Sequence, residues 1–171
     1  PDEVYVFSPK GKIFALPKGS TTIDYAYAVH TGVGNSAMAA KVNQELVPLR
    51  TELITGEHIE IITAPVAKPN PAWLNFVITP KARSQIRLFL RSAETKDLTI
   101  LGNSMLNNAL KAFHVSPSSI KKKHWEKLIL DYHLDSKDNI LIDIALGKRI
   151  NVMVAHQLTN IIDGANKAKK Q

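Results

Sequence analysis

Leu16-Pro17-Lys18-Gly19-Ser20-Thr21-Thr22-Ile23-Asp24-Tyr25-Ala26-Tyr27-Ala28-Val29-His30-Thr31 places a turn, a helix cap and a short helix in one run. Pro17 and Gly19 supply turn chemistry. Thr21 or Thr22 is suited to cap a helix, where a side-chain oxygen can take an orphan backbone N–H. Ile23, Ala26, Tyr27 and His30 fall at i, i+3, i+4 and i+7 and so share one face. Gly32 and Gly34 are expected to stop the helix.

The flanks read as strands. Glu3-Val4-Tyr5-Val6-Phe7 and Lys12-Ile13-Phe14-Ala15-Leu16 enclose the turn Ser8-Pro9-Lys10-Gly11. Ala39 to Asn43, a short Leu46-Val47 segment and Glu57 to Thr63 follow the helix. Hairpin, helix, strand, short strand and final strand is the β-grasp, or ubiquitin-like, arrangement. We assign it residues 1–64. Three prolines, Pro65, Pro69 and Pro71, mark residues 65–79 as a linker, and Trp73, Leu74 and Phe76 predict that it packs against a neighbour.

Beyond it the period is helical. Thr79-Pro80 starts a helix with the apolar stripe Ala82, Ile86, Phe89, Leu90 and Ala93, and the pattern continues through Leu98 to Val115. Ser116-Pro117 predicts a second start, Ser136 a third, and Val152 to Ile162 forms a last helix. The expected fold is therefore α+β, with the β-grasp domain followed by an all-α helical domain over 80–163. Residues 164–171 read as a disordered tail.

The formal net charge of +7 is unevenly spread. Residues 1–64 carry −2 and residues 65–171 carry +9. Such a half favours anionic partners: RNA, an acidic protein or an acidic neighbouring domain. The chain has no cysteine, which excludes disulfides and fits a reducing cytoplasm. No apolar run is long enough to span a bilayer, so no membrane role is expected. The chain opens on Pro1 rather than Met, as a piece of a longer protein would.

Catalytic and cofactor motifs are missing. The turn glycines fit neither G-x-x-x-x-G-K-[ST] nor G-x-G-x-x-G. The histidines are scattered, with no H-E-x-x-H and no His-Asp dipeptide. Asp131-Tyr132-His133-Leu134-Asp135 is richer in ligand atoms, but a histidine at a helix end suits the dipole, and no metal site is assigned. We expect no catalytic residue and no cofactor in this chain. His30 has two readings: a helix-terminal residue satisfied by a backbone carbonyl, or a half-exposed imidazole that stacks on or hydrogen-bonds to a ligand, with Tyr27 completing the platform. Arg83, Arg87 and Arg91 repeat at i, i+4, i+8, with Lys81 extending the row, either as a solvated face or as a phosphate- or carboxylate-binding surface. Lys121-Lys122-Lys123 is a second basic cluster at a helix start, where the dipole disfavours it.

Val4-Tyr5-Val6-Phe7-Ser8-Pro9-Lys10-Gly11, Leu16-Pro17-Lys18-Gly19-Ser20-Thr21 and Asp24-Tyr25-Ala26-Tyr27-Ala28-Val29-His30-Thr31 closely resemble the TGS domain of long RelA/SpoT stringent-response enzymes. Lys68-Pro69-Asn70 and Ala72-Trp73-Leu74-Asn75-Phe76-Val77 resemble the SpoT-like branch. The family often has Gly-His where this chain has Gly34-Asn35, and keeps a basic residue at the position of Lys41. The resemblance implies a non-catalytic regulatory fragment of a bifunctional (p)ppGpp synthetase/hydrolase. Its implied partners are the N-terminal hydrolase and synthetase domains of the parent chain and acyl carrier protein. Alternatively it implies a module that senses the 3′ CCA end of deacylated tRNA on the ribosome. On either reading His30, Tyr27 and Lys41 would be the partner or tRNA-end contact residues.

Overall fold

The computed structural model describes residues 2–170 and divides after Ser92 into two compact units. The first holds five strands. β1 (Glu3–Phe7) and β2 (Ile13–Pro17) form an antiparallel hairpin. In β1 Val4 and Val6 are buried while Glu3 and Tyr5 are exposed, the period of two that a half-covered strand requires. The turn closes through Ser8, whose Oγ accepts the Lys12 N–H at 3.0 Å, and through Gly11 at φ +86°. β3 (Ala37–Val42) lies between β4 (Glu45–Val47) and β5 (Ile59–Thr63), antiparallel to both. A parallel bridge from Phe7 to His58 joins the two ladders, and the Phe7 and His58 rings stack there at 5.0 Å. This is the mixed sheet of a β-grasp.

α1 (Thr22–Val29) crosses the sheet and is buried on two sides. Tyr25 enters one cluster with Val4, Val6, Leu16, Val42, Leu53 and Ile59. Ile23 and Tyr27 enter another with Ala37, Trp73, Val77, Ala82 and Ile86. The second cluster explains the aromatic residues of the proline-rich segment. A 3₁₀ turn at Pro71–Asn75 and the first turns of α3 (Pro80–Lys111) cover the face of α1 that the sheet leaves open. Residues 65–79 are thus part of the first unit rather than a bridge, and the unit ends inside α3 rather than at residue 80.

A single carboxylate ties this cover down. Asp24 is 1% exposed. It accepts from the Thr21 N–H (2.8 Å) and hydroxyl (3.0 Å), and from the Thr79 N–H (2.9 Å) and hydroxyl (2.8 Å), with the Ile78 N–H at 3.2 Å. The Thr79 hydroxyl in turn accepts from Ala82 N–H and so caps α3. One buried anion therefore serves the amino ends of two helices, where the dipoles favour it.

The glycines expected to stop α1 do something else. The helix ends at Val29, His30 is extended, and Gly32 and Gly34 lie inside a second short helix, α2 (Thr31–Asn35). Gly34 is required because a Cβ there would overlap the Tyr27 ring. The Tyr27 hydroxyl donates to Asn35 Oδ1 at 2.8 Å, which gives this chain's Asn35 its role.

The second unit is helical: the end of α3, α4 (Lys122–Tyr132), α5 (Lys137–Ala145) and α6 (Asn151–Lys170). Leu106, Leu110, Leu128, Ile140, Ile144, Val154 and Leu158 fill its core. Gly102 meets the Leu141 carbonyl so closely that no Cβ would fit between α3 and α5. Two sequence expectations fail here. Ser116-Pro117 opens only a 3₁₀ turn (Pro117–Ser119), because Ile120 turns into the core before α4 begins. Residues 164–170 are helical, since Ile161 and Ala165 continue the apolar spacing past Gly164; Gln171 lies outside the described residues.

Candidate functional site

His30 is the joint between α1 and α2. Its N–H donates to the Ala26 carbonyl at 3.2 Å, and its own carbonyl accepts from Val33 and Gly34. Its Nδ1 accepts the Gly32 N–H at 2.8 Å, as an N-cap side chain does. An accepting Nδ1 carries no proton, so the neutral ring holds it on Nε2. His30 is exposed, and Nε2–H has no partner among the described residues. The cap therefore fixes the ring from one side and leaves a hydrogen-bond donor and a ring face open on the other. The ring is satisfied by a backbone N–H, not by the carbonyl expected of a helix-terminal histidine.

The other expected contacts do not gather around it. Tyr27 is fully buried and offers no platform; its hydroxyl is pushed up to about 12 by desolvation. Helical spacing placed it on the His30 face, but that face turns into the core one turn before the chain emerges. Lys41 alternates with the buried Ala40 and Val42, so it lies on the sheet face opposite α1. There it pairs across the ladder with Glu60 and lines a shallow cleft with Pro9, Asn43, Gln44 and His58. His30 is not part of that cleft.

The arginine row is divided in use. Arg83 is half-buried and donates to the Val77 carbonyl at 2.8 Å, holding the cover segment. Lys81, Arg87 and Arg91 are exposed and form no ion pair among the described residues. Leu88, on the same outer surface of α3, is half-exposed. An exposed guanidinium pair with an apolar neighbour can hold carboxylates or phosphates bidentately.

The second basic cluster is more organised than its sequence suggested. Lys122 pairs with Glu126 at 4.0 Å, and Lys121 donates to the Ser118 carbonyl at 3.2 Å. His124 is buried, and its Nδ1 accepts the Lys121 N–H at 2.9 Å. A histidine three residues after the cap thus fills the place usually held by Glu or Gln. The three-residue spacing from Lys121 to His124 is the sequence signal for this cap. Lys169, assigned to a frayed tail, stands beside Lys123 on the helical end of α6.

Burial lowers the His124 pKa below its ordinary 6.5, with Lys123, Lys169 and Lys121 adding to the effect. The folded state thus favours neutral imidazole. Its contribution is full above pH 6.5 and declines as the pH falls below that value toward the lowered one. With Trp73 replaced by Phe, so that Trp125 alone reports, the urea midpoint of the helical unit should fall between pH 7.5 and 5.5. His124→Gln should flatten that dependence.

Asp131, His133 and Asp135 sit at the end of α4, where His133 adopts φ +56° as the C-cap. Among the described residues no helix is long and apolar enough to cross a membrane.

Comparison with known proteins agrees with the fold. Residues 4–63 match the TGS domain. A Vibrio cholerae guanosine-3′,5′-bis(diphosphate) 3′-pyrophosphohydrolase is 41% identical over 170 residues, 99% of this chain and 24% of the relative. The bifunctional (p)ppGpp synthase/hydrolase SpoT of Escherichia coli K12 is 42% identical over 158 residues, 92% of this chain and 22% of the relative. A Myxococcus xanthus GTP pyrophosphokinase is 36% identical over 158 residues, 92% of this chain and 21% of the relative. The chain spans about a quarter of the length of these curated relatives. With a TGS β-grasp, a covering segment and a helical unit all within the matched stretch, the chain matches the TGS-plus-helical region of a SpoT-like protein of the RelA/SpoT family.

Proposed function

We propose that this chain is a non-catalytic regulatory part of a bifunctional (p)ppGpp synthetase/hydrolase. It sets the hydrolase/synthetase balance through contacts with the parent's catalytic domains and by docking acyl carrier protein. The observation that carries the docking reading is the exposed, unpaired Arg87–Arg91 pair, a surface suited to acidic side chains. Titration of the chain with acyl carrier protein at low salt should show binding that Arg87→Glu with Arg91→Glu weakens at least ~10-fold. Unchanged affinity in that variant, or no binding by the parent sequence, would sink the docking reading. In the full-length enzyme the same variant should shift the ratio of ppGpp hydrolysis to synthesis.

His30 favours a second reading. Its fixed, exposed ring with a free Nε2–H suits the terminal adenosine of deacylated tRNA. On that reading His30→Ala weakens tRNA binding, and tRNA lacking the terminal adenosine binds no better to the parent sequence than to the variant. Equal affinity of both proteins for intact tRNA rules it out.

A further inference from the structure

The N-cap residue of α4, Lys121, makes no side-chain cap bond, so His124 is the side chain that caps this end, and the first turn bears lysines where a helix amino terminus favours anions. Around it opens a cavity of about 440 Å³ whose lining includes Lys121, Lys123, His124, Asn166 and Lys169, with Ile162 as its apolar side chain. None of Lys121, Lys123 and Lys169 pairs with a carboxylate among the described residues. Lys123 and Lys169 line the same cavity with no carboxylate paired to either among the described residues, and the neighbouring Lys169 lowers the Lys123 pKa.

His124 points to a ligand independently of the helix end. It is 6% exposed, and its one hydrogen bond uses Nδ1 as acceptor. The proton therefore sits on Nε2, which has no protein partner and is not enclosed. The ring lines this cavity and also a second of about 480 Å³, rimmed by Lys123, Lys127 and Asn160 and floored by Ile161, Gly164 and Ala165. Gly164 has open space where its Cβ would be. The floor is almost wholly apolar, so the two halves differ in chemistry: one cationic, one suited to a ring or hydrocarbon.

We propose that the amino end of α4 and the facing turns of α6 bind a small phosphorylated molecule. Its phosphates sit among Lys121, Lys123, Lys169 and Nε2–H of His124, and its ring or apolar body lies over Ile161, Gly164 and Ala165. The paired cavities favour a compact ligand over an RNA strand, which tracks an extended basic stripe instead. The site shares no residue with the Arg87–Arg91 surface or with His30, so its failure and theirs are separable.

The test uses the whole 171-residue chain with three probes: inorganic pyrophosphate, a nucleoside 5′-diphosphate and a single-stranded oligonucleotide. Amide spectra at low salt should show the nucleoside diphosphate shifting the Lys122 and Lys123 N–H signals and the His124 ring. It should bind at least ~10-fold more tightly than pyrophosphate, because only it reaches the apolar half. Lys169→Glu, on an exposed last turn that no core depends on, should weaken it at least ~10-fold. Gly164→Leu, which fills the apolar half, should reduce the nucleotide to the affinity of pyrophosphate. Absence of shifts at α4, equal binding of pyrophosphate and nucleotide, indifference to Lys169→Glu, or binding of the oligonucleotide alone would each overturn the proposal.

Discussion

Asp24→Ala is expected to cost the first unit about 3–5 kcal/mol, since several neutral donors lose their acceptor at about 1–3 kcal/mol each. The carboxylate takes donors from Thr21, Ile78 and Thr79, and alanine leaves them buried without an acceptor. A domain of this size has only about 5–15 kcal/mol in total. The loss is therefore a large share, and the melting midpoint should fall by roughly 15 °C or more. Asp24→Asn should also be costly, since its amide presents hydrogens toward donors. Thr79→Val, which keeps the carboxylate, should cost only about 1 kcal/mol. Trp73 fluorescence, with Trp125 replaced by Phe, reads this unit alone. A loss under 1 kcal/mol for Asp24→Ala would contradict the network.

Gly102→Ala is the second large effect, and its sign runs against helix propensity. In an exposed helix interior the change would stabilise by about 1 kcal/mol. Here the new Cβ would meet the Leu141 carbonyl, a backbone atom held within α5. Overpacking of this kind costs about 1–3 kcal/mol or more, and a backbone neighbour yields least, so repulsion wins. The net expectation is destabilisation by about 2 kcal/mol in the Trp125 signal. Gly102→Val should be worse. Gly164→Ala, which meets nothing, is the control and should be neutral or slightly stabilising. Stabilisation by Gly102→Ala would show that α3 and α5 are not in close contact.

The strands and helices were largely legible because they depend on local period. Val4 and Val6 alternate, Ala82 and Ile86 repeat at helical spacing, and each lies where its pattern predicts. What spacing could not give was which side of α1 faces water, because neither side does. Ile23 and Tyr27 look like a surface-capable face until Trp73 and Val77 arrive from fifty residues away. Nothing beside Asp24 in the sequence marks its role, since donors at Ile78 and Thr79 lie more than fifty residues away. His30 was found, but its exposure follows from the turn into α2 rather than from any pattern. Lys169 was lost with the tail because Gly164 reads as a stop, and only Ala165 argues otherwise.

The cover over α1 sets where this module can be cut and grafted. The sequence match ends at Thr63, yet Ile23, Tyr27 and Ala37 are enclosed only by residues up to Ile86. A piece trimmed at residue 64 would present that apolar face to water and leave Asp24 facing solvent in place of Ile78 and Thr79. The heritable unit is therefore longer than the recognisable one. A TGS domain moved into another architecture must either carry this strap with it or find a new surface to press against α1.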